Sequence, residues 1–243
     1  MYLNKGLKNM PLVVKNLIII NALFFLARYT LASILNIDLN SVLGLYYYNS
    51  PEFNPYQLIS YMFMHGGFSH IFFNMFALWM FGTQIENLWG PKRFLNYYLI
   101  TGFGAAFLHY LIIHFQISGL ESYFTSNQIS EIVNSGAFNP SSPLFSKARM
   151  LYGLHHTPVV GASGAVFGLL LAYGMTYPNQ IIYLNLLFPI KAKYFVIIYG
   201  LLEFFMGIQN GAGDNVAHFA HIGGMLFGFL LIKYWKKNDI NFY

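Results

Sequence analysis

Cysteine is missing from all 243 residues, which excludes a disulfide framework, thiolate chemistry and any cysteine-based metal site. Charge is scarce too. Only 9% of the residues are Asp, Glu, Lys or Arg, far below the share of an ordinary soluble domain. What the chain has in excess is apolar: 56% hydrophobic, 19% aromatic, with a positive mean hydropathy. That balance describes an integral membrane protein. The first long apolar run, from Pro11 onward, has no small-residue cleavage site, so it reads as a first span and not as a signal peptide.

A window of about 20 residues finds six candidate spans in a single membrane domain covering 1–243. They run from Pro11 to Leu35, Tyr56 to Gly82, Arg93 to Phe115, Pro158 to Tyr177, Ile190 to Gln209 and Asn215 to Trp235, with a long connection over 116–157. Basic residues then set the orientation, because cytoplasmic loops hold the excess of Lys and Arg. Lys5, Lys8, Lys15, Lys92, Arg93, Lys191, Lys193, Lys233, Lys236 and Lys237 all fall on one side. The other side has Lys147 and Arg149, with Arg28 near the outer end of the first span. Both termini are therefore expected in the cytoplasm. The net charge of +5 is accounted for by this asymmetry, so no nucleic-acid partner is read from it.

Orientation converts position into depth. At 1.5 Å per residue, Ser163 lies about 7 Å below Pro158 and His221 about 10 Å below Asp214, so the two can meet in the outer leaflet. On the second span, His70 and Asn74 share a face at i, i+4, some 20 Å deep from Tyr56, or less if Gly66-Gly67 interrupts the helix. Each residue has a plain alternative. Gly161-Ala162-Ser163-Gly164 serves equally as a close-packing motif whose hydroxyl bonds to its own helix. It is not the Gly-x-Ser-x-Gly elbow of soluble hydrolases, because the fifth position is Ala165 and no strand precedes it. His221 reads either as a base or as a packed interhelical histidine, and His218 competes with it. His65, His70 and Asn74 lack a partner at ligand spacing, so neither metal nor cofactor is expected. Glu203 lies near the outer end of the fifth span, within reach of water, and receives no chemistry.

Three stretches together resemble the rhomboid family of intramembrane serine proteases: His65-Gly-Gly-Phe-Ser-His70-Ile-Phe-Phe-Asn74, Gly161-Ala-Ser163-Gly164 and Ala220-His221-Ile-Gly-Gly224-Met-Leu-Phe-Gly228. The turn from Gly82 to Phe94, with Glu86-Asn-Leu-Trp89-Gly90, looks like the family's link between its second and third spans. The resemblance implies an all-α, six-helix polytopic bundle. It implies a Ser-His dyad, with Ser163 as nucleophile, His221 as base and no third carboxylate. His70, Asn74 and the Ser163 backbone N–H become the oxyanion donors, and His65 a structural support. Gly224 and Gly228 are expected to let the sixth span approach the fourth, beside Gly161 and Gly164. Phe167, one turn below Ser163, stands where many relatives have tyrosine and is expected to stack on the histidine ring.

Substrates are expected to be membrane proteins, met within the lipid bilayer of a prokaryotic plasma membrane. The linker Gln209-Asn-Gly-Ala-Gly-Asp214 is expected to cap the site. The connection 116–157 is read as a tolerated surface insertion, with one short amphipathic helix around Gln128 to Val133. Two other classes compete: a catalytically silent rhomboid-like protein that binds membrane clients, and a small-solute transporter. Against the first stand both Ser163 and His221; against the second, the lack of any repeat relating the two halves.

Overall fold

The computed structural model describes residues 10–184, 188–209 and 217–238. Helix α1 (Leu12–Leu35) is a continuous apolar run that ends where Asn36 turns left-handed at φ 55° and donates its N–H to the Leu31 carbonyl. Its N-terminus begins after Pro11 and needs acceptors for its free N–H groups. The Glu86 carboxylate supplies them, at 2.9 Å from the Val13 nitrogen and 2.8 Å from that of Val14. A residue expected only in a connecting turn thus caps a helix more than seventy residues away in sequence.

After α2 (Leu39–Leu43), the segment expected as one span from Tyr56 to Gly82 is in two pieces. Helix α3 (Gln57–Ser60) tightens into a 3-10 turn over Tyr61–Phe63, and the chain then runs extended until α4 (Phe68–Ala77). Gly66-Gly67 is the cause, since glycine in a helix interior gains no side-chain contact and loses most entropy. The break exposes the carbonyls of His65 and Gly66, and Arg28 of α1 donates to both through Nη1, at 2.9 and 3.0 Å. Helix α4 continues without interruption through a π-helical turn, Leu78–Gly82, into α5 (Thr83–Trp89). Gly90, at φ 79°, ends that run, and Pro91 opens α6 (Pro91–Glu121) from its first position.

The connection after α6 is folded. Helix α7 (Ser126–Ser135) begins with a Thr125–Gln128 capping box and stops at left-handed Gly136; α8 (Phe145–His156) follows. The two pack on the end of α6 around Tyr47, Ile113, Ile117, Ile132, Ala148 and Leu151. The insertion is therefore a helical pair with its own apolar core, not an irregular loop with one short helix.

Helix α9 (Ser163–Thr176) starts later than the expected Pro158, because Val159 is held in an isolated bridge with Leu45. Beyond it comes an antiparallel hairpin, β1 (Ile181–Leu184) with β2 (Phe188–Lys191), then α10 (Ala192–Gln209) and α11 (His218–Asn238). Apart from Gln209, the linker expected to act as a cap lies outside the described residues. Among the described helices, α1, α6 and α10 are long and apolar enough to cross a membrane. Helix α9 is apolar but shorter, at 14 residues.

Helix α11 is the central packing element, lying against both α6 and α9. Small residues make that possible. A Cβ on Gly224 would overlap the Gly164 carbonyl of α9, and one on Gly164 would overlap Ala105 of α6. Gly228 faces α6 instead, where a Cβ would strike the Tyr97 hydroxyl. The expected approach to α9 thus falls to Gly224 alone, and Gly228 seats α11 on α6. That hydroxyl is already committed, donating to the Gly168 carbonyl of α9 at 2.8 Å. In contrast, α10 turns Ile197, Leu201, Leu202, Phe205 and Ile208 outward, an exposed apolar face of the kind that meets lipid.

Candidate active site

Ser163 is the first residue of α9, so its own N–H has no acceptor within the helix and sits at the positive end of the helix dipole. The residue before Ala162 is Gly161, at φ 133°, a conformation that a side chain disfavours. Space forbids one as well. A Cβ there would lie 2.8 Å from both Cε1 and Nε2 of His70 and 3.5 Å from the Ser163 hydroxyl oxygen. The serine and the His70 ring therefore both lie against Gly161.

His221 lies on the first turn of α11, 8% exposed, with Nε2 2.8 Å from Ser163 Oγ. Phe167 lies under its ring, centroids 4.2 Å apart and planes only 6° from parallel. One turn of α9 separates Ser163 from Phe167, so a single helix supplies both the partner and the support of the imidazole.

His70 is on the first turn of α4, because the helix begins only at Phe68. That late start brings it level with Ser163. Its Nδ1 accepts from the Gly66 N–H at 3.4 Å, which puts the ring proton on Nε2, the nitrogen next to Gly161. Asn74 is buried and donates one amide N–H to the His70 carbonyl at 3.0 Å, leaving the second for another acceptor. His65, fully buried, packs edge-on against His70 with centroids 5.0 Å apart.

Glu203 departs from the sequence reading. It is on α10 and only 8% exposed, and its Oε2 lies 2.8 Å from His221 Nδ1 and 2.7 Å from His218 Nδ1. The expectation of a serine–histidine pair without a carboxylate is not met in this arrangement. No local pattern announces Glu203; the usable signal is that an ionisable residue inside an apolar span rarely lacks a role. His218, the rival for the base, meets the same Oε2 of Glu203 through its Nδ1. Glu203, His218 and His221 offer metal-ligand atoms within 4.8 Å of one another. Both imidazole Nδ1 atoms meet the carboxylate, so the three side chains form one hydrogen-bond network.

A helical bundle with apolar faces, carrying a hydrogen-bonded serine and histidine among buried polar groups, defines the class. The chain belongs to the rhomboid family, a membrane-embedded family whose domain model matches residues 52–237. It is 31% identical over 179 residues to RHOMBOID-like protein 4 of Arabidopsis thaliana, covering 72% of this chain and 33% of that one. It is 28% identical over 176 residues to Rhomboid protease GluP of Bacillus subtilis (strain 168), covering 72% and 25%. To Rhomboid protease AarA of Providencia stuartii it is 28% identical over 174 residues, covering 70% and 52%. The matched region thus spans from a quarter to about half of these relatives' lengths.

Proposed function

We propose that the protein is an intramembrane serine endopeptidase that hydrolyses peptide bonds in or beside the spans of membrane-protein substrates. The 2.8 Å contact between Ser163 Oγ and His221 Nε2 carries the reading. Neutral His221 takes the hydroxyl proton as Oγ attacks the scissile carbonyl carbon. The carbonyl π electrons move to oxygen, and the resulting oxyanion is met by the Ser163 N–H, His70 Nε2–H and the second amide N–H of Asn74. His221 then passes its proton to the leaving amine, and the acyl group stays on Ser163. Water, deprotonated by the same nitrogen, releases it.

Six spans with both termini in the cytoplasm give the bundle its orientation in a prokaryotic plasma membrane, supported by the one-sided lysines and arginines. In that setting the site opens to the outer side, where water enters a polar pocket walled by helices. The bilayer is the medium in which substrate arrives, and no nucleic acid is involved.

The test is cleavage of a single-span substrate by the protein in liposomes. Ser163→Ala and His221→Ala are expected to abolish cleavage, while His218→Ala does not. Cleavage lost in His218→Ala and kept in His221→Ala would reassign the base. No cleavage by any form, with substrate still captured, would favour the client-binding reading.

A further inference from the structure

Phe167 fixes the plane of the His221 ring, but a parallel stack is indifferent to a half-turn about Cβ–Cγ, which would point carbon instead of Nε2 at the serine. Stacking also leaves open which nitrogen carries the proton. A hydrogen-bond partner at Nδ1 settles both. Glu203 is that partner: an ionised carboxylate only accepts, so its 2.8 Å contact requires Nδ1–H on His221 and leaves the Nε2 lone pair toward Ser163.

We propose that Glu203 is a positioning residue and that the site works as a Ser163–His221–Glu203 triad, assembled from α9, α11 and α10. The proposal rests on the serine-protease reading above and adds a third member to it. When Ser163 gives its proton to Nε2, the ring becomes an imidazolium whose charge faces the carboxylate; the Nδ1 proton stays on nitrogen and Glu203 takes none. The buried charge is itself held, because His218 Nδ1 donates to the same Oε2 at 2.7 Å. The other titratable groups toward His221 are His70 on α4 and His109 on α6, neither of them an acid. Glu203 is thus the acidic group facing the base among the described residues. Since it comes from α10, a displacement of that helix would withdraw the carboxylate from the base.

Cleavage kinetics and histidine tautomers of the full chain test this. Glu203→Gln keeps shape but removes charge: kcat is expected to fall about ten- to hundredfold with KM within about twofold. The acidic limb of the kcat/KM profile should move to lower pH, since a neutral amide no longer favours the imidazolium. Glu203→Asp should recover part of the rate. If Glu203→Gln keeps the wild-type kcat and pH profile, whatever its melting temperature, the proposal is wrong. Side-chain nitrogen NMR of 15N-histidine-labelled Ser163→Ala protein above pH 8 gives a reading independent of turnover. Protonated Nδ1 on His221, lost to a tautomer mixture when Glu203→Gln is added, supports the triad. Protonated Nε2, or no change on adding Glu203→Gln, overturns it, and a wild type that cleaves nothing would count against the protease reading alone.

Discussion

At the scale of single residues, the site depends on atoms that are absent as much as on those present. Gly161 at φ 133° and Gly224 against the Gly164 carbonyl leave no room for a methyl group. Gly224→Ala must push α11 off α9, at a cost of about 1–3 kcal/mol, and lengthen the 2.8 Å bond between serine and histidine. A lowered melting temperature in detergent together with lost cleavage is the expected result; a stable, active variant would contradict the packing. Asn74→Ala should lower kcat by about 10²–10³ through loss of an oxyanion donor, with little effect on KM. Ser163, His70, Asn74 and His221 can be singled out in the sequence through the motifs that carry the resemblance, and the fold brings Ser163 against both His221 and His70. Glu203 and Arg28 cannot be singled out this way. The contacts described for them span 15 to 38 positions, and only the fold brings an isolated charge in a lipid-facing helix to its partner.

Among the elements, the break in the second apolar segment matters most for the site, since it sets the level of His70. Arg28 holds that break by its two carbonyl contacts. Arg28→Ala leaves both without a donor and should destabilise the protein by about 1–3 kcal/mol, measured by chemical denaturation in detergent, with activity falling alongside. Unchanged stability would mean that the carbonyls find other donors. The hairpin of β1 and β2 is hidden in sequence because its residues are as apolar as the helix that follows, and period alone does not separate so short an apolar strand from a helix. Of the α7–α8 pair, α7 shows in the sequence as the amphipathic helix expected around Gln128 to Val133, whereas α8 is hidden, because the polar, proline-containing stretch before it reads as loop and its core forms only against α6.

That pair also responds to acid. The His156 ring lies between Glu52 Oε1, 2.9 Å from Nδ1, and the Val133 carbonyl, 2.7 Å from Nε2, and so ties α7 and α8 to the segment before α3. Burial works against the Glu52 carboxylate, yet the Ser50 hydroxyl and His156 outweigh it and hold its pKa below 4.5. For His155, burial first and neighbouring His156 second push the pKa below 6.5. A histidine depressed in the fold takes up a proton more readily when unfolded, so stability is lost as pH falls below 6.5. The Glu52 contribution, present above 4.5, is lost at still lower pH as its carboxylate is protonated. Hydrogen-exchange protection over residues 126–156, corrected for intrinsic rates, should therefore be lower at pH 5 than at pH 7.5. Equal protection at both would contradict this.

For the whole molecule, fold class is legible from composition and spacing, since scarce charge and long apolar runs leave few alternatives to a helical membrane bundle. Family membership follows from the domain match over residues 52–237. The central claim is that α9 presents an activated serine to a base on α11. A fluorophosphonate probe reads it directly, because stable phosphonylation needs the activated oxygen and no substrate. On the intact protein, one adduct per chain is predicted, mapped by peptide mass spectrometry to Ser163 and absent from His221→Ala. Labelling that is absent from the folded wild type, or that persists in Ser163→Ala, would contradict the account.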